Sequence, residues 1–320
     1  MPIRHSTLRQ LKVFETVARH LSFSRAAAEL HLTQPAVSMQ VKNLEAQAGL
    51  PLFEQIGRKT FLTDAGRELL TRARAVAREI DAAEAALAAL SGATAGHLTI
   101  ALVSTAKYLA PPLLAPFLKA HPGVTLKLAV DNREAVVREL AANEVDFAIM
   151  GRPPQGMDMT AAAFARHPHV MIAAPGHPLA RRRRIPLARV AGETFIVREP
   201  GSGTRGLLER LFAQHALPLN VSMEMASNET IKQAVQAEMG VSFLSLDTVG
   251  LELAAGRLVV LSVVGLPILR DWHVVHPVTK RLSPVAAALK TFLVAEGAAI
   301  LDRQRGMPVR GRRKRRLVSS

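Results

Sequence analysis

Apolar residues in the first ninety positions recur every three or four residues, a spacing that predicts a run of short helices. The apolar face of the first helix consists of Leu11, Phe14, Val17 and Ala18. Ser22 is placed to cap a second helix that runs to Leu30, and Thr33 is placed to cap a third that runs to Glu45. Pro35 fits the third helix, because a residue in the first helical turn needs no backbone N–H.

The third helix carries polar side chains at a spacing suited to reading DNA. Gln34, Ser38 and Lys42 recur at intervals of four residues, beside an apolar face formed by Val37, Val41 and Leu44. Two helices joined by a tight turn match a helix-turn-helix, whose second helix enters the major groove. A solvated polar face is the alternative interpretation of these residues taken alone.

A hairpin over residues 51–62 follows, with Gly57, Arg58 and Lys59 at its tip, and predicts a wing that contacts phosphate. The ordered set of helices and wing favours a DNA-binding domain over a plain helical domain. We expect the DNA contacts to come from Thr33, Gln34, Pro35, Ser38, Gln40, Lys42, Arg58 and Lys59.

Residues 63–90 predict one long helix with an a/d seam over three heptads. No second seam of this length occurs in the chain, so homodimerisation is favoured over an intramolecular partner. The seam residues are Leu69, Ala73, Val76, Ile80, Ala83, Leu87 and Leu90, and residues 91–96 supply a hinge of small residues.

Beyond the hinge, apolar runs alternate with helical patterns, which predicts a mainly parallel sheet covered by helices. The first series has strands over 97–103, 124–130 and 146–150, and a second series begins at Val170. Two similar α/β lobes with a cleft between them follow, and we expect the chain to cross between them near 161–168 and 262–271.

Composition narrows the function classes. The 320 residues include no cysteine, which excludes disulfides, thiol catalysis and Cys-ligated metals. Only 4% are aromatic, so single-strand binders that stack bases are disfavoured. The N-terminal segment lacks the apolar core of a signal peptide, and the most apolar run noted, 258–269, is too short to span a bilayer. We therefore expect a cytoplasmic protein with no membrane partner.

The net charge of +15 is unevenly distributed, since residues 303–320 hold eight Lys or Arg and no acidic residue. A basic disordered tail is the main interpretation, and a non-specific clamp on DNA phosphates is the alternative. Arg181–Arg184 lies between two prolines and is interpreted as a solvated loop, with a patch facing DNA or a partner as the alternative.

The N-terminal motifs resemble those of the LysR-type transcriptional regulators. The resemblance covers about residues 8–66 and rests on Ala26-Ala27, Leu30, Thr33–Ser38, Gln40-Val41, Leu44-Glu45, Gly49, Leu52-Phe53, Arg58 and Leu62–Gly66. It implies a winged helix-turn-helix, a long linker helix and a two-lobed effector domain like the periplasmic binding proteins. It also implies a homodimer or homotetramer on double-stranded operator DNA, with RNA polymerase as a partner. Gln55 departs from the family, which commonly has arginine there.

The second half resembles the CbbR-type regulators of carbon-fixation (Calvin cycle) operons. The strings that carry this narrower resemblance are 104–108, 131–134, 199–205 and 228–233. It implies a metabolite-responsive activator, with no resident cofactor and with a phosphorylated metabolite or NADPH as effector. A LysR-type regulator of another operon is the alternative.

Those four strings also lie where predicted strands meet predicted helices. Ligands collect at the carboxyl ends of strands in open α/β sheets, and free helix N–H groups together with cations favour an anionic small-molecule effector. We expect the effector to be bound by Ser104, Thr105, Lys107, Asn132, Arg133, Thr204, Arg205 and Asn228.

Other chemistries are weakly supported. Gly201–Arg205 lacks the Lys-Ser/Thr ending of a Walker loop, and the histidine pairs 167/169 and 273/276 have no cysteine or carboxylate cluster beside them. Nothing indicates catalysis, although a binding protein or enzyme on the same two-lobed fold remains the competing class.

The sequence therefore predicts four segments. They are a winged helix-turn-helix over 1–62, a linker and dimerisation helix with its hinge over 63–92, an effector domain over 93–302, and the tail over 303–320. Lobe I would comprise 93–162 and 269–302, and lobe II would comprise 163–268.

Overall fold

The computed structural model describes residues 5–57, 59–90 and 96–305, and within 81–90 it describes the backbone and the Ala83 side chain. Predictions that concern Arg58, the Leu87 and Leu90 side chains, residues 91–95 of the hinge and residues 306–320 of the tail lie outside the described part. The chain divides into two compact units, one of residues 1–91 with 142–144 and one of the remainder.

The first unit is helical apart from one hairpin. Its elements are α1 (Leu8–His20), α2 (Phe23–Glu29), α3 (Gln34–Ala48), β1 (Phe53–Ile56), β2 (Lys59–Leu62) and α4 (Asp64–Leu90). Thr7, Ser22 and Thr33 cap the first three helices by accepting backbone N–H groups of Gln10, Arg25 and Ala36. These caps stabilise short helices that would be marginal alone.

The turn between α2 and α3 closes through the backbone. His31 adopts a left-handed conformation with φ of 53°. The Leu32 N–H donates to the Ala27 carbonyl at 2.9 Å, and the His31 N–H donates to the Ala28 carbonyl at 3.3 Å. This is the paired Schellman arrangement that ends a helix, so α3 starts at once in a new direction.

The N-terminal part of α4 packs inside its own unit. Leu69 and Ala73 join a core with Phe14, Leu44 and Leu52. These two positions of the predicted dimer seam are therefore occupied within one chain, because the wing and α1 cover that end of the helix. Farther along, Val76 and Ile80 are 40% and 41% exposed, and Ala83 is exposed as well.

The second unit has two α/β halves, which are called layers below. Its strands are β3 (Gly96–Val103), β4 (Val124–Asp131), β5 (Phe147–Met150), β6 (Met159–Ala173), β7 (Phe195–Arg198), β8 (Val221–Met225), β9 (Ser242–Ser245), β10 (Val259–Val260) and β11 (Ile268–Pro277). Its helices are α5 (Ala110–Ala120), α6 (Arg133–Ala141), α7 (Leu187–Ala191), α8 (Gly203–Gln214), α9 (Asn228–Gln236), α10 (Gly250–Ala254) and α11 (Pro284–Gln304). One layer is built around β3, β4 and β5, and the other around β7, β8 and β9. The fold class predicted from the sequence is confirmed.

The sheet is mixed rather than mainly parallel. β3 pairs in parallel with β4 and β5, whereas β11 pairs antiparallel with β5 and β6. β6 continues past β11 and pairs antiparallel with β9 and β10. The two strands that carry the chain between the halves run in opposite directions, which forces the antiparallel pairing. The boundaries of the lobes remain a prediction.

Helix α11 is long and apolar enough to cross a membrane by length and composition, which was not expected from the sequence. Its buried residues, among them Leu289, Leu293 and Ile300, belong to the core of the first half together with Trp272 and Phe147. The packing of this helix against β6 accounts for its apolar character.

We expect Gly66→Ala to destabilise the first unit, by about 1–3 kcal/mol. A Cβ at position 66 would overlap the Leu52 carbonyl oxygen and lie 2.9 Å from Leu62 Cδ2. Gly250→Ala is the matched control, because nothing lies within 4 Å of its Cβ position. Calorimetric melting of the full chain should show a lowered transition only for Gly66→Ala, and equal transitions would contradict this packing.

Candidate functional site

The exposed side of α3 presents the predicted reading residues. Gln34 and Lys42 are exposed and Ser38 is half-buried, and the spacing of four residues puts all three in one row. None of the three side chains bonds to another residue in the described part of the chain. The Thr33 hydroxyl accepts a hydrogen bond from the Ala36 N–H at 3.4 Å, so its main structural role is to start the helix.

Gln40 lies elsewhere on α3. Six residues along a helix with about 3.6 residues per turn put it on a different side from Gln34. It is half-buried, whereas Pro35 is exposed at the N-terminal end of the helix. The structure thus brings together three of the predicted α3 contacts in one row and sets Gln40 apart from them.

A carboxylate joins α3 to the wing. Glu45 accepts the Leu52 N–H at 2.8 Å and the Phe53 N–H at 3.3 Å, just where the chain enters β1. The Phe53 ring packs against Phe14 and Phe23, with centroids 5.4 and 5.6 Å away. Glu45 was part of the family resemblance but not of the predicted contacts, and its role is to hold the wing beside the reading helix.

The wing is a hairpin with a two-residue tip. Ile56 pairs with Lys59, and Gly57 adopts φ of 63°, which favours glycine at a tight turn. Lys59 is exposed at the start of β2, so its ammonium group is available to a phosphate oxygen.

The second unit contains a pocket where strand ends meet, and the pocket with its opening to solvent encloses about 560 Å³. β3 ends there at Val103, β7 ends there at Arg198, and α8 begins there. The lining residues are Val103, Ser104, Thr105, Arg133, Gly151, Arg152, His167, His169, Arg198, Ser202, Gly203, Thr204, Leu207, Arg210 and Arg270.

Half of the predicted effector residues line this pocket, namely Ser104, Thr105, Arg133 and Thr204. The other half lie outside it. Asn132 caps α6 by accepting the Ala135 N–H at 3.0 Å, and Lys107 is exposed. Asn228 is buried and accepts a hydrogen bond from Arg198, so it positions a residue of the lining.

Arg205 is not among the residues that line the pocket. Its guanidinium donates to Glu209 at 2.8 Å and also pairs with Glu224, and these carboxylates raise its pKa. Arg205 instead borders a neighbouring recess that it shares with Arg152 and Arg210. Since its charge is already neutralised, Arg205 has less to offer an anion than the unpaired arginines beside it.

Arg198 is the most buried cation of the lining, with a side chain only 2% exposed. It forms an ion pair with Glu199 at 2.7 Å and donates to Asn228 and Ser104 at 2.8 Å each. Ser104 follows β3 and Arg198 ends β7, so this bond joins the two α/β layers at the floor of the pocket.

Four further arginines surround the pocket without a carboxylate partner among the described residues, and they are Arg133, Arg152, Arg210 and Arg270. Arg133 donates to the carbonyl oxygens of Arg152 and Pro153. Burial lowers the pKa of Arg133 and Arg210, and nearby guanidinium groups lower both further. No acidic residue lines the pocket, so a guest anion would relieve this repulsion.

Two buried histidines form one wall of the pocket. His167 stacks on Trp272 with ring centroids 3.7 Å apart, and its Nε2 lies 3.0 Å from Ser245 Oγ. Burial lowers the pKa of His167 well below its usual range and that of His169 to about 4. The Nδ1 atoms of both rings have no hydrogen-bond partner within the described chain, which leaves two neutral polar atoms at the wall.

The sequence did not predict that Arg152, Arg198, Arg210, Arg270 and both histidines would line the pocket. The signal for Arg198 was its place at the end of an apolar strand, next to a predicted junction. Arg210 and Arg270 carried no such signal, because they lie inside elements and reach the pocket only through the packing of those elements. Within the described residues no group of three His, Cys, Asp or Glu could hold a metal ion.

Comparison with known proteins gives matches over nearly the whole chain. Residues 8–67 match the family model for bacterial regulatory helix-turn-helix proteins of the lysR family, and residues 91–298 match the LysR substrate binding domain. The HTH-type transcriptional regulator CfxR of Cupriavidus necator is 49% identical over 311 residues, which cover 97% of this chain and 98% of the relative.

Two further matches concern operon and ligand. A RuBisCO operon transcriptional regulator of Allochromatium vinosum is 49% identical over 294 residues, which cover 92% of this chain and 97% of the relative. The solved regulatory domain of Synechocystis PCC6803 CcmR in complex with 2-PG has a TM-score of 0.61 and 38% identity. That match covers 62% of this chain and 96% of the solved one.

We expect the second unit to lose stability as the pH falls from about 6.5 towards 4. Burial holds the folded-state pKa of His169 at about 4, so in this window the unfolded chain binds a proton that the folded chain does not. Each such histidine contributes a slope approaching about 1.4 kcal/mol per pH unit.

Urea unfolding at pH 7, 6 and 5, followed by the fluorescence of the single tryptophan, Trp272, measures this slope. His169→Gln should flatten the slope, and the exposed His215→Gln should leave it unchanged. Equal stability at pH 7 and pH 5 would contradict the assignment of neutral buried histidines.

Proposed function

The chain belongs to the LysR family of bacterial transcriptional regulators, and we propose that it controls a RuBisCO operon in response to an anionic metabolite. Its family membership makes it a DNA-binding regulator and not an enzyme, as the sequence predicted. The RuBisCO target is supported by relatives that match almost end to end. The observation that carries the proposed response is a pocket with five arginines and no acidic residue in its lining.

The DNA contact would divide between α3 and the wing. Gln34 and Ser38, with unpaired polar groups on the exposed row, would read base edges in the major groove, and Lys42 would extend that row. Lys59 at the wing would contact phosphate, which adds affinity without sequence preference. We propose the same phosphate contact for Arg58, because it precedes Lys59 in the sequence.

The family acts on DNA as oligomers, and two surfaces of this chain support a dimer that could assemble further. Val76 and Ile80 leave an apolar stripe on α4, which suits pairing with the same helix of a second copy. Leu128 and Val130 are exposed on β4, which is an edge strand of the sheet. Edge strands with exposed apolar residues favour association. We propose a homodimer through α4 and a homotetramer through both surfaces.

The proposed effector is a small phosphorylated acid. The pocket offers hydroxyls from Ser104, Thr105, Ser202 and Thr204 beside the guanidinium groups, the donor set that phosphate and carboxylate oxygens accept. The related CcmR domain is solved with 2-PG, a ligand of this kind. NADPH is the weaker candidate, because the lining holds no aromatic ring apart from the two imidazoles on which a base could stack.

Effector binding would change how the two α/β layers sit against each other. Ser104 contacts Arg198 across the pocket floor, and the Tyr108 hydroxyl donates to Glu229 at 2.5 Å beside it. An anion bound between the layers stabilises whichever arrangement brings more donors to it, and shifts the equilibrium accordingly. We propose that this shift governs activation through RNA polymerase, and that the protein acts in the cytoplasm.

Gln34→Ala or Ser38→Ala should lower operator affinity by about 1–3 kcal/mol and leave affinity for random DNA nearly unchanged. Lys59→Ala or Arg58→Ala should weaken both about equally, because a phosphate contact carries no sequence information. Gel shifts with the DNA upstream of the chain's own gene and of the RuBisCO operon in the same genome provide the measurement. Equal loss on both DNAs for Gln34→Ala would contradict the reading face, and failure of the native protein to bind either DNA upstream would contradict the proposed target.

Arg210→Gln should weaken binding of 2-phosphoglycolate about 10- to 100-fold, since a hydrogen bond to a charged group contributes about 1.5–3 kcal/mol. Arg205→Gln is the matched control, because Glu209 and Glu224 already neutralise that residue. Calorimetric titration of the full chain measures both affinities. A larger loss for Arg205→Gln would move the anion to the neighbouring recess, and no binding of any sugar phosphate or phosphoenolpyruvate would contradict the proposed class.

A further inference from the structure

Arg181–Arg184 is the longest run of like charge in the described part of the chain, and the proposed DNA and effector sites do not use it. All four side chains are exposed, and none forms an ion pair. Glu193 is the nearest acidic residue along the sequence. Its carboxylate lies 3.6 Å from the His177 ring and pairs with Arg189 at 3.1 Å. Four positive charges therefore stand together with no described carboxylate to balance them.

The backbone beneath these arginines is fixed. Leu179 before the run and Ile185 after it are buried in the same core. The Arg182 N–H donates to the Leu179 carbonyl at 3.1 Å, and the Ile185 N–H donates to the Ser262 carbonyl at 2.7 Å. The Arg184 N–H donates to Ser262 Oγ at 3.3 Å while Arg184 adopts φ of 50°. The four guanidinium groups are therefore carried by a turn whose backbone is held in place by hydrogen bonds.

A cationic turn with a fixed backbone is suited to binding a polyanion. Fixing the backbone in advance reduces the entropy lost on binding, and guanidinium groups match the geometry of phosphate. Protein interfaces, by contrast, centre on buried apolar or aromatic anchors. The segment that pairs with this turn adds one exposed apolar side chain, Val264, and the run itself adds none.

We propose that Arg181–Arg184 is a second DNA contact, made by the effector-binding unit with the phosphate backbone of a duplex. The proposal rests on the DNA binding of the family and is independent of the RuBisCO target. The contact adds affinity for any duplex, because phosphates carry no sequence information. It also adds to the salt dependence of binding, since each neutralised phosphate releases counterions.

The test compares salt dependence on a random-sequence 60-base-pair duplex, so that no operator is needed. The logarithm of the binding constant of the full chain falls with the logarithm of salt concentration by about 0.9 for each phosphate contact. Replacing all four arginines with glutamine should therefore reduce this slope by about 2 to 4 units. Replacing all four with lysine should restore most of it, because the charges remain.

A matched control removes the same charge elsewhere. Lys119, Arg257, Arg281 and Arg303 are exposed cations of the same unit that form no described ion pair, and their fourfold glutamine variant has the same net charge. The proposal requires a reduced slope in the Arg181–Arg184 variant and a near-native slope in this control. Equal slopes in the two variants would overturn the proposal. A native slope in the Arg181–Arg184 variant together with lost transcriptional activation would also overturn it, and would indicate an acidic protein partner instead. Native fluorescence of Trp272 and a native melting temperature confirm that the variant is folded.

Discussion

The effector-binding unit depends on one long pair of antiparallel strands. β6 and β11 pair from Met159 opposite Pro277 to His169 opposite Ile268, and β6 then continues into the second half. The same pair therefore belongs to the layer built on β3 and leads into the layer built on β9. Its pairing register shifts between Trp272 and His273, where β6 has one extra residue, Phe164. The pocket lies beside this shift, because His167 of its lining stacks on Trp272.

The charge of the pocket arginines is balanced differently from that of several arginines on the helix surfaces. Arg72, Arg138 and Arg189 each pair with a carboxylate one helical turn away, which satisfies them locally. Nearby guanidinium groups lower the pKa of Arg133 and Arg210, and of the five pocket arginines Arg198 alone forms an ion pair with a carboxylate of the described residues. Such repulsion costs folding free energy that a bound anion returns, and a ligand that binds only the folded state stabilises it. Under the proposed function, this repulsion would make the empty pocket less stable and would favour an anionic ligand.

Local pattern predicted the elements well and the site only in part. Helix caps such as Ser22 and Thr33 and the strand end at Val103 were visible because they depend on neighbours in sequence. Arg205 was chosen for its place at a junction, but its pairing with Glu224 depends on β8 lying beside β7, which no short window contains. His167 was considered only as a weak metal ligand, and its burial against Trp272 depends on the register of β6 with β11. Long-range packing decides which junction residues face the pocket.

In the long helix α4, too, packing within the chain decides which of the predicted seam residues are left for a second copy. Its heptad pattern is continuous in the sequence, yet Leu69 and Ala73 pack on Phe14 and Leu52 of their own unit. Gly66 permits this, because the helix starts against the Leu52 carbonyl with no room for a side chain. One face of a helix cannot be covered twice, so the stripe left for a second copy begins at Val76. A dimer built on that stripe would leave each wing and reading helix held by its own chain, since Glu45 and the α4 core fix them before any partner binds. Dimerisation would then set the spacing of two preformed reading heads rather than complete either of them.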